Sequence, residues 1–150
     1  MSLLVISSMN EIYYFSEDTD FSLKNPQRTS GWICDVIKKE GFTLTNLNFI
    51  FCSDRYLYDK NVTYLGHDTL TDVITFDQSE ATATVEGDIY INIERINENS
   101  LIYQTSFCSE LHRVMIHGVL HLLGYNDKDG EAQKEMRLKE TTYLATLGLL

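Results

Sequence analysis

The sequence predicts an α+β (α/β) fold: a single four-stranded sheet covered by helices, in one continuous domain over residues 1–150. Three observations lead there. Four short segments rich in β-branched and aromatic residues are spread over the first two thirds of the chain. Two long segments with helical spacing of apolar residues fill the last third. The apolar share of 43% in 150 residues is enough to bury a core without disulfides, and no repeat, low-complexity tract or linker divides the chain.

Taken in order, residues 11–16 (E-I-Y-Y-F-S) suit a short strand. Thr29 or Ser30 is placed to cap a helix carrying Trp32, Ile33, Val36 and Ile37, which Gly41 ends after Lys38 and Lys39. Leu47, Phe49 and Phe51 then alternate with Asn48, Ile50 and Cys52 as a strand. Residues 54–64 read as a short helix. Residues 72–76 (D-V-I-T-F) form the third strand, and the fourth has Ile89, Ile91 and Ile93 on one face of G-D-I-Y-I-N-I. The polar stretch 77–86 between them reads as a loop. Helices follow over about 106–123 and 128–147. Strands interleaved with and followed by helices make one helix-covered sheet.

Composition limits the function classes. Cys34, Cys52 and Cys108 are odd in number and widely spaced, which excludes a disulfide framework and a zinc ribbon and predicts reduced thiols. The apolar run 3–6 is too short for a signal-peptide core, and no stretch approaches the roughly 20 apolar residues of a membrane span. A soluble, cytoplasmic protein without a membrane partner is expected. The net charge of −10 argues against a broad basic surface of the kind that grips phosphate backbones. Binding to a polyanion would need a local basic patch, a metal ion or a partner protein.

The chemistry concentrates in H-G-V-L-H-L-L-G-Y-N-D, residues 117–127. On a central helix, His117 and His121 stack one turn apart on the same side, where two imidazoles can converge on one divalent ion. Gly124 can take the left-handed conformation that stops the helix, and the following turn returns Asp127 toward the histidines. Two imidazoles and one carboxylate leave a coordination position open for water, as in catalytic rather than structural sites. On the helical projection His117 and His121 flank the apolar stripe of Leu111, Val114, Met115, Gly118 and Leu122, and Ile116 and Leu120 make the far side apolar too. Buried imidazoles need strong partners. Core hydrogen bonds are the plainer way to satisfy them, with Asp127 or Asp129 merely capping the last helix. Gly124 and the carboxylate at third-ligand spacing favour the metal. His112 projects away from His117 and is left out of the site.

The spacing H-x-x-x-H-x-x-G-x-x-D resembles the zinc motif of metzincin proteases, but Gly118 stands where those enzymes carry a general-base Glu. The residues resemble the YbeY family more closely. That family carries H-G-x-L-H-L-x-G-Y-D-H, matched here by His117, Gly118, Leu120, His121, Leu122, Gly124 and Tyr125. A second family block, Y-R-G-K-D-x-x-T-D-V-L-S-F followed by G-D-I, corresponds to Y-L-G-H-D-T-L-T-D-V-I-T-F at residues 64–76 and to Gly87-Asp88-Ile89. The resemblance implies a small α/β metallohydrolase with one divalent ion, zinc, held by His117, His121 and Asp127. It implies a single-strand-directed endoribonuclease acting in small-subunit (16S) ribosomal RNA maturation and ribosome quality control. Its partners would be ribosomal RNA and the small ribosomal subunit, not DNA.

Catalysis would then use a water on that ion, with Arg113, one turn before His117, as a candidate for holding the scissile phosphate. Asp72 and Thr71 are candidates for orienting a ligand histidine from behind, and His67 is a further loop residue able to face the site. Two positions depart from the family pattern. Asp127 stands for a third histidine, and Leu65 stands for an arginine thought to contact RNA. The carboxylate suits harder ions such as manganese better than a third imidazole would. Two other readings stay open at this point: a ribosome-assembly factor with little intrinsic cleavage, and a metzincin-like metallopeptidase.

Overall fold

The computed structural model describes residues 2–6, 11–66 and 71–149. Five strands form one sheet in the order β1-β2-β3-β5-β4: β1 (Ser2–Ile6), β2 (Ile12–Glu17), β3 (Thr43–Cys52), β4 (Val73–Asp77) and β5 (Thr84–Asn92). β2, β3 and β5 run parallel, while β1 and β4 pair antiparallel at the two edges. The four strands legible in the sequence are present, and β1 joins them as an additional edge strand. A four-residue apolar run is too short to identify itself, and only its pairing with β2 makes it a strand.

Helix α1 (Pro26–Lys39) starts earlier than its sequence suggests. Pro26 occupies the first turn, where a missing N–H costs nothing. Thr29 and Ser30 are therefore buried helix-interior residues, not caps. The Ser30 hydroxyl bonds Tyr14 Oη at 2.7 Å, and Thr29 Oγ1 lies 3.1 Å from His112 Nε2. Gly41 does end this helix, at φ 84°.

Leu47, Phe49 and Phe51 are fully buried on the face of β3 that α1 and α4 cover. The opposite sheet face is covered by α2 (Asp54–Lys60), which Ser53 caps and which runs on as a π-helical turn through Asn61–Leu65. The alternation of isoleucines ending at Ile93 conceals a switch to helix. Asn92 accepts a hydrogen bond from the Arg95 N–H at 3.1 Å, so Ile93 opens a helix, α3 (Ile93–Ile102), that the strand pattern hid.

Helix α4 (Phe107–Leu122), capped by Ser106, lies across β4 and β5 as the central helix, and α5 (Gly130–Thr146), capped by Asp129, packs beside it. Its close approach depends on Gly118: a Cβ there would lie 2.9 Å from Ile89 Cγ2 and 3.4 Å from Thr75 Cγ2. Among the described residues no helix is long and apolar enough to cross a membrane.

Candidate metal centre

His117 and His121 project from the last turns of α4 and meet with their Nε2 atoms 3.0 Å apart. The chain reverses directly after them. Gly124 takes φ 98°, its N–H bonds the His121 carbonyl, and the Tyr125 N–H reaches back to the Leu120 carbonyl, each at 3.0 Å. This pair of bonds around a left-handed glycine is the Schellman helix end. It returns the chain so that Asp127 Oδ2 lies 3.7 Å from His117 Nε2 and 3.8 Å from His121 Nε2. The three residues that the sequence motif singled out thus come together, one ligand atom from each lying within 4.8 Å of the others.

The donor set fits a cation. His121 Nδ1 lies 3.1 Å from the Tyr125 carbonyl oxygen, which can only accept, and His117 Nδ1 lies 2.6 Å from Glu140 Oε2. Burial would raise the Glu140 carboxyl, yet the His117 hydrogen bond and the Arg113 charge hold it below the ordinary carboxylate range. Glu140 therefore accepts as an anion. Each ring turns Nδ1 to an acceptor, which leaves the two Nε2 atoms to meet each other across 3.0 Å. Two unprotonated nitrogens so placed would repel, and a cation held by both relieves that repulsion. Nitrogens around a tetrahedral zinc, each about 2.0–2.1 Å from the ion, lie about 3.3 Å apart, close to the spacing here. Burial, then the neighbouring His117, pushes His121 below the usual histidine value and keeps the ring neutral for ligation.

The supporting partners differ from those expected. Asp72 and Thr71 stand at the entry of β4: the Asp72 carbonyl accepts from the Asn92 N–H, and the Thr71 carbonyl from Asn92 Nδ2. The places behind the histidines are taken instead by Glu140 of α5 and the Tyr125 carbonyl. Arg113 is bound to Glu110 (2.7 and 3.1 Å) and to Glu140 (3.1 Å), so its guanidinium is already engaged by two buried carboxylates. His112 is indeed outside the site, buried between Thr29, the Cys108 carbonyl and Trp32. His67 lies outside the described residues.

Glu140 was not anticipated, although a signal existed. Met136, Glu140, Tyr143 and Leu144 recur at helical spacing and are all buried, so Glu140 is a charge on an apolar stripe. A carboxylate placed there needs a strong partner.

The reversal is tied down from behind by Glu40. Its carboxylate accepts from Tyr125 Oη at 2.6 Å, Lys139 Nζ at 3.0 Å and Tyr143 Oη. Beside the centre, a cavity of about 210 Å³ is lined by Arg113, His117, Asp127, Met136, Arg137 and Glu140.

Fold and site together define a helix-covered mixed sheet with two histidines and one aspartate, a group able to hold a cation, at the end of its central helix. The family model described as "Endoribonuclease YbeY" matches residues 12–148. A protein of that name from Amoebophilus asiaticus is 57% identical over 133 residues, covering 89% of this chain and 90% of the relative. The "Endoribonuclease YbeY" of Cytophaga hutchinsonii is 43% identical over 134 residues, covering 89% and 94%. The solution structure of TM1509 from Thermotoga maritima superposes with a TM-score of 0.62 at 31% identity, covering 89% of this chain and 86% of that one. The chain belongs to the YbeY family.

Proposed function

We propose that this chain is a metal-dependent, single-strand-directed endoribonuclease. In this reading it matures and checks small-subunit ribosomal RNA as a single cytoplasmic domain, with ribosomal RNA and the small subunit as partners. The observation that carries the reading is the pair of Nε2 atoms that meet at 3.0 Å with the Asp127 carboxylate beside them, an arrangement suited to a cation with room left for substrate.

His117, His121 and Asp127 would hold a divalent ion, zinc in this proposal, which would supply Lewis acidity toward a phosphoryl oxygen and a water. The chain's own residues prepare that chemistry. His117 and His121 present rings whose orientation Glu140 and the Tyr125 carbonyl fix. Asp127, 48% exposed, leaves the solvent side open to a phosphodiester. Arg113 holds the Glu140 charge in place and lines the adjoining cavity, where one edge of its guanidinium can meet a phosphate oxygen. Gly118 packs against Ile89 and Thr75, which leaves no room for the base that metzincin proteases carry at that position.

The test is cleavage of a labelled single-stranded RNA by wild type and His121→Ala, with zinc or manganese and with a chelator. Cleavage is expected to need the ion and to disappear in the variant, and a duplex RNA should resist. Cutting that survives both chelation and His121→Ala would remove the metal mechanism. A second reading, an assembly factor that scarcely cuts, draws on Leu65 and the net charge of −10. Co-sedimentation with small subunits without cleavage of purified RNA would select it.

A further inference from the structure

A second cavity, of about 460 Å³, adjoins the centre between the end of α3, α4 and α5. It shares Arg113, Arg137 and Glu140 with the smaller cavity beside His117 and Asp127, so the same three side chains face both spaces. Its lining includes Tyr103, 62% exposed at the end of α3, and the hydroxyl-bearing Thr105 and Thr141. The two arginines are not equivalent. Arg113 is committed to Glu110 and Glu140, whereas the exposed Arg137 has no hydrogen-bond or ion-pair partner among the described residues. The Tyr103 ring likewise has no aromatic or cationic neighbour among them.

A free guanidinium and an exposed aromatic that line one cavity, the guanidinium also lining the space beside His117 and Asp127, suit one ligand chemistry. Arginine takes a backbone phosphate in bidentate fashion, and a tyrosine face stacks on any unpaired base. The volume lies within the range of small-ligand sites. We propose that this cavity is a nucleotide subsite for single-stranded RNA: Arg137 holds a phosphate flanking the scissile one, and Tyr103 stacks the adjoining base. Duplex RNA keeps its bases paired and inside the helix, so the subsite selects single strands. The proposal rests on the ribonuclease reading above for its substrate and extends it to residues that the motif does not contain.

The test is equilibrium binding of a fluorescent single-stranded oligoribonucleotide to the zinc-supplemented full chain over a range of salt, alongside cleavage of the same RNA. Arg137→Ala should raise Kd about tenfold and lower the salt slope of log K by about 0.7, the value for one phosphate contact on a single strand. Tyr103→Ala should raise Kd by a similar factor with the slope unchanged. Lys134→Ala, an exposed cation on α5 outside this cavity, should bind as wild type does. Circular dichroism confirms that each variant is folded. Wild type that cleaves while both subsite variants bind and cut normally would overturn the subsite and leave the ribonuclease reading intact. Wild type that binds with the stated losses but never cleaves would uphold the subsite and remove the nuclease. No measurable binding by wild type would overturn the subsite.

Discussion

His117 Nδ1 donates to Glu140 Oε2 at 2.6 Å, and the other oxygen of that carboxylate accepts from Arg113 Nη1 at 3.1 Å. Glu140 is 6% exposed, so an unpaired charge there would be costly, and each partner repays part of that cost. The consequence for the centre is geometric. A ring whose Nδ1–H is pinned has only Nε2 to offer, aimed at His121 and Asp127.

Glu140→Gln keeps the volume but removes the charge and the preferred acceptor. Affinity for zinc is expected to fall about 10–100-fold, the usual effect of losing a partner behind a ligand histidine. Competition with a calibrated chelator measures it, with circular dichroism as the control for folding. An unaltered affinity would mean that Glu140 serves packing alone.

In the proposed reading Asp127 sets which ion the centre prefers. Replacing its hard oxygen with nitrogen in Asp127→His should shift selectivity toward zinc and away from manganese. Metal analysis after equilibration with both ions reads the ratio, and a ratio that stays put would show that residue 127 is not a ligand.

Glu40 links the end of α1 to the reversal that carries Asp127 and to α5. Burial would raise its pKa, but the hydrogen bonds from Tyr125, Tyr143 and Lys139 and the Lys139 charge bring it below the ordinary carboxylate value. A carboxyl lower in the folded than in the unfolded chain stabilises above the unfolded value, and that contribution is lost as pH falls through the folded one. Glu40→Gln should therefore cost about 1–3 kcal/mol at pH 7. The deficit should shrink as pH falls below about 4. Chemical denaturation of both proteins at pH 7 and pH 3 checks this; a deficit of equal size at both pH values would contradict it.

At Gly118 two effects of opposite sign compete. Alanine in a helix interior is favoured over glycine by about 1 kcal/mol. Its Cβ, however, would lie 2.9 Å from Ile89 Cγ2, on a branched and fully buried side chain with little freedom to yield. Overpacking of this kind costs typically about 1–3 kcal/mol. Gly118→Ala is expected to be net destabilising and to lower Tm by a few degrees, on the order of 2–4 °C per kcal/mol at this chain length. A raised Tm would show that β5 moves aside freely.

Four strands and the central helix were legible because each carries its own period: two for Leu47, Phe49 and Phe51, and the helical repeat for α4. The caps were harder. Thr29 and Ser30 have the chemistry of N-cap residues, and only the packing of α1 on Tyr14 and His112 makes them interior. Helix α3 was hidden because Ile93 continues an isoleucine alternation that Asn92 interrupts by capping. Both errors have one origin. A local pattern is compatible with two structures, and distant contacts choose between them.

The amino-acid sequence by itself determined the grouping of His117, His121 and Asp127, because with Gly124 they lie within one helix end whose geometry is set by neighbours along the chain. Only the tertiary structure decided what stands behind and beside that triad. Glu140 reaches His117, Glu40 reaches Tyr125, and Arg137 reaches the rim of the centre, because α1 and α5 pack against the end of α4. Those contacts span 23 residues for His117–Glu140 and 85 for Tyr125–Glu40. Helical periodicity relates only residues a turn or two apart, so partners brought together by packing leave no spacing to read.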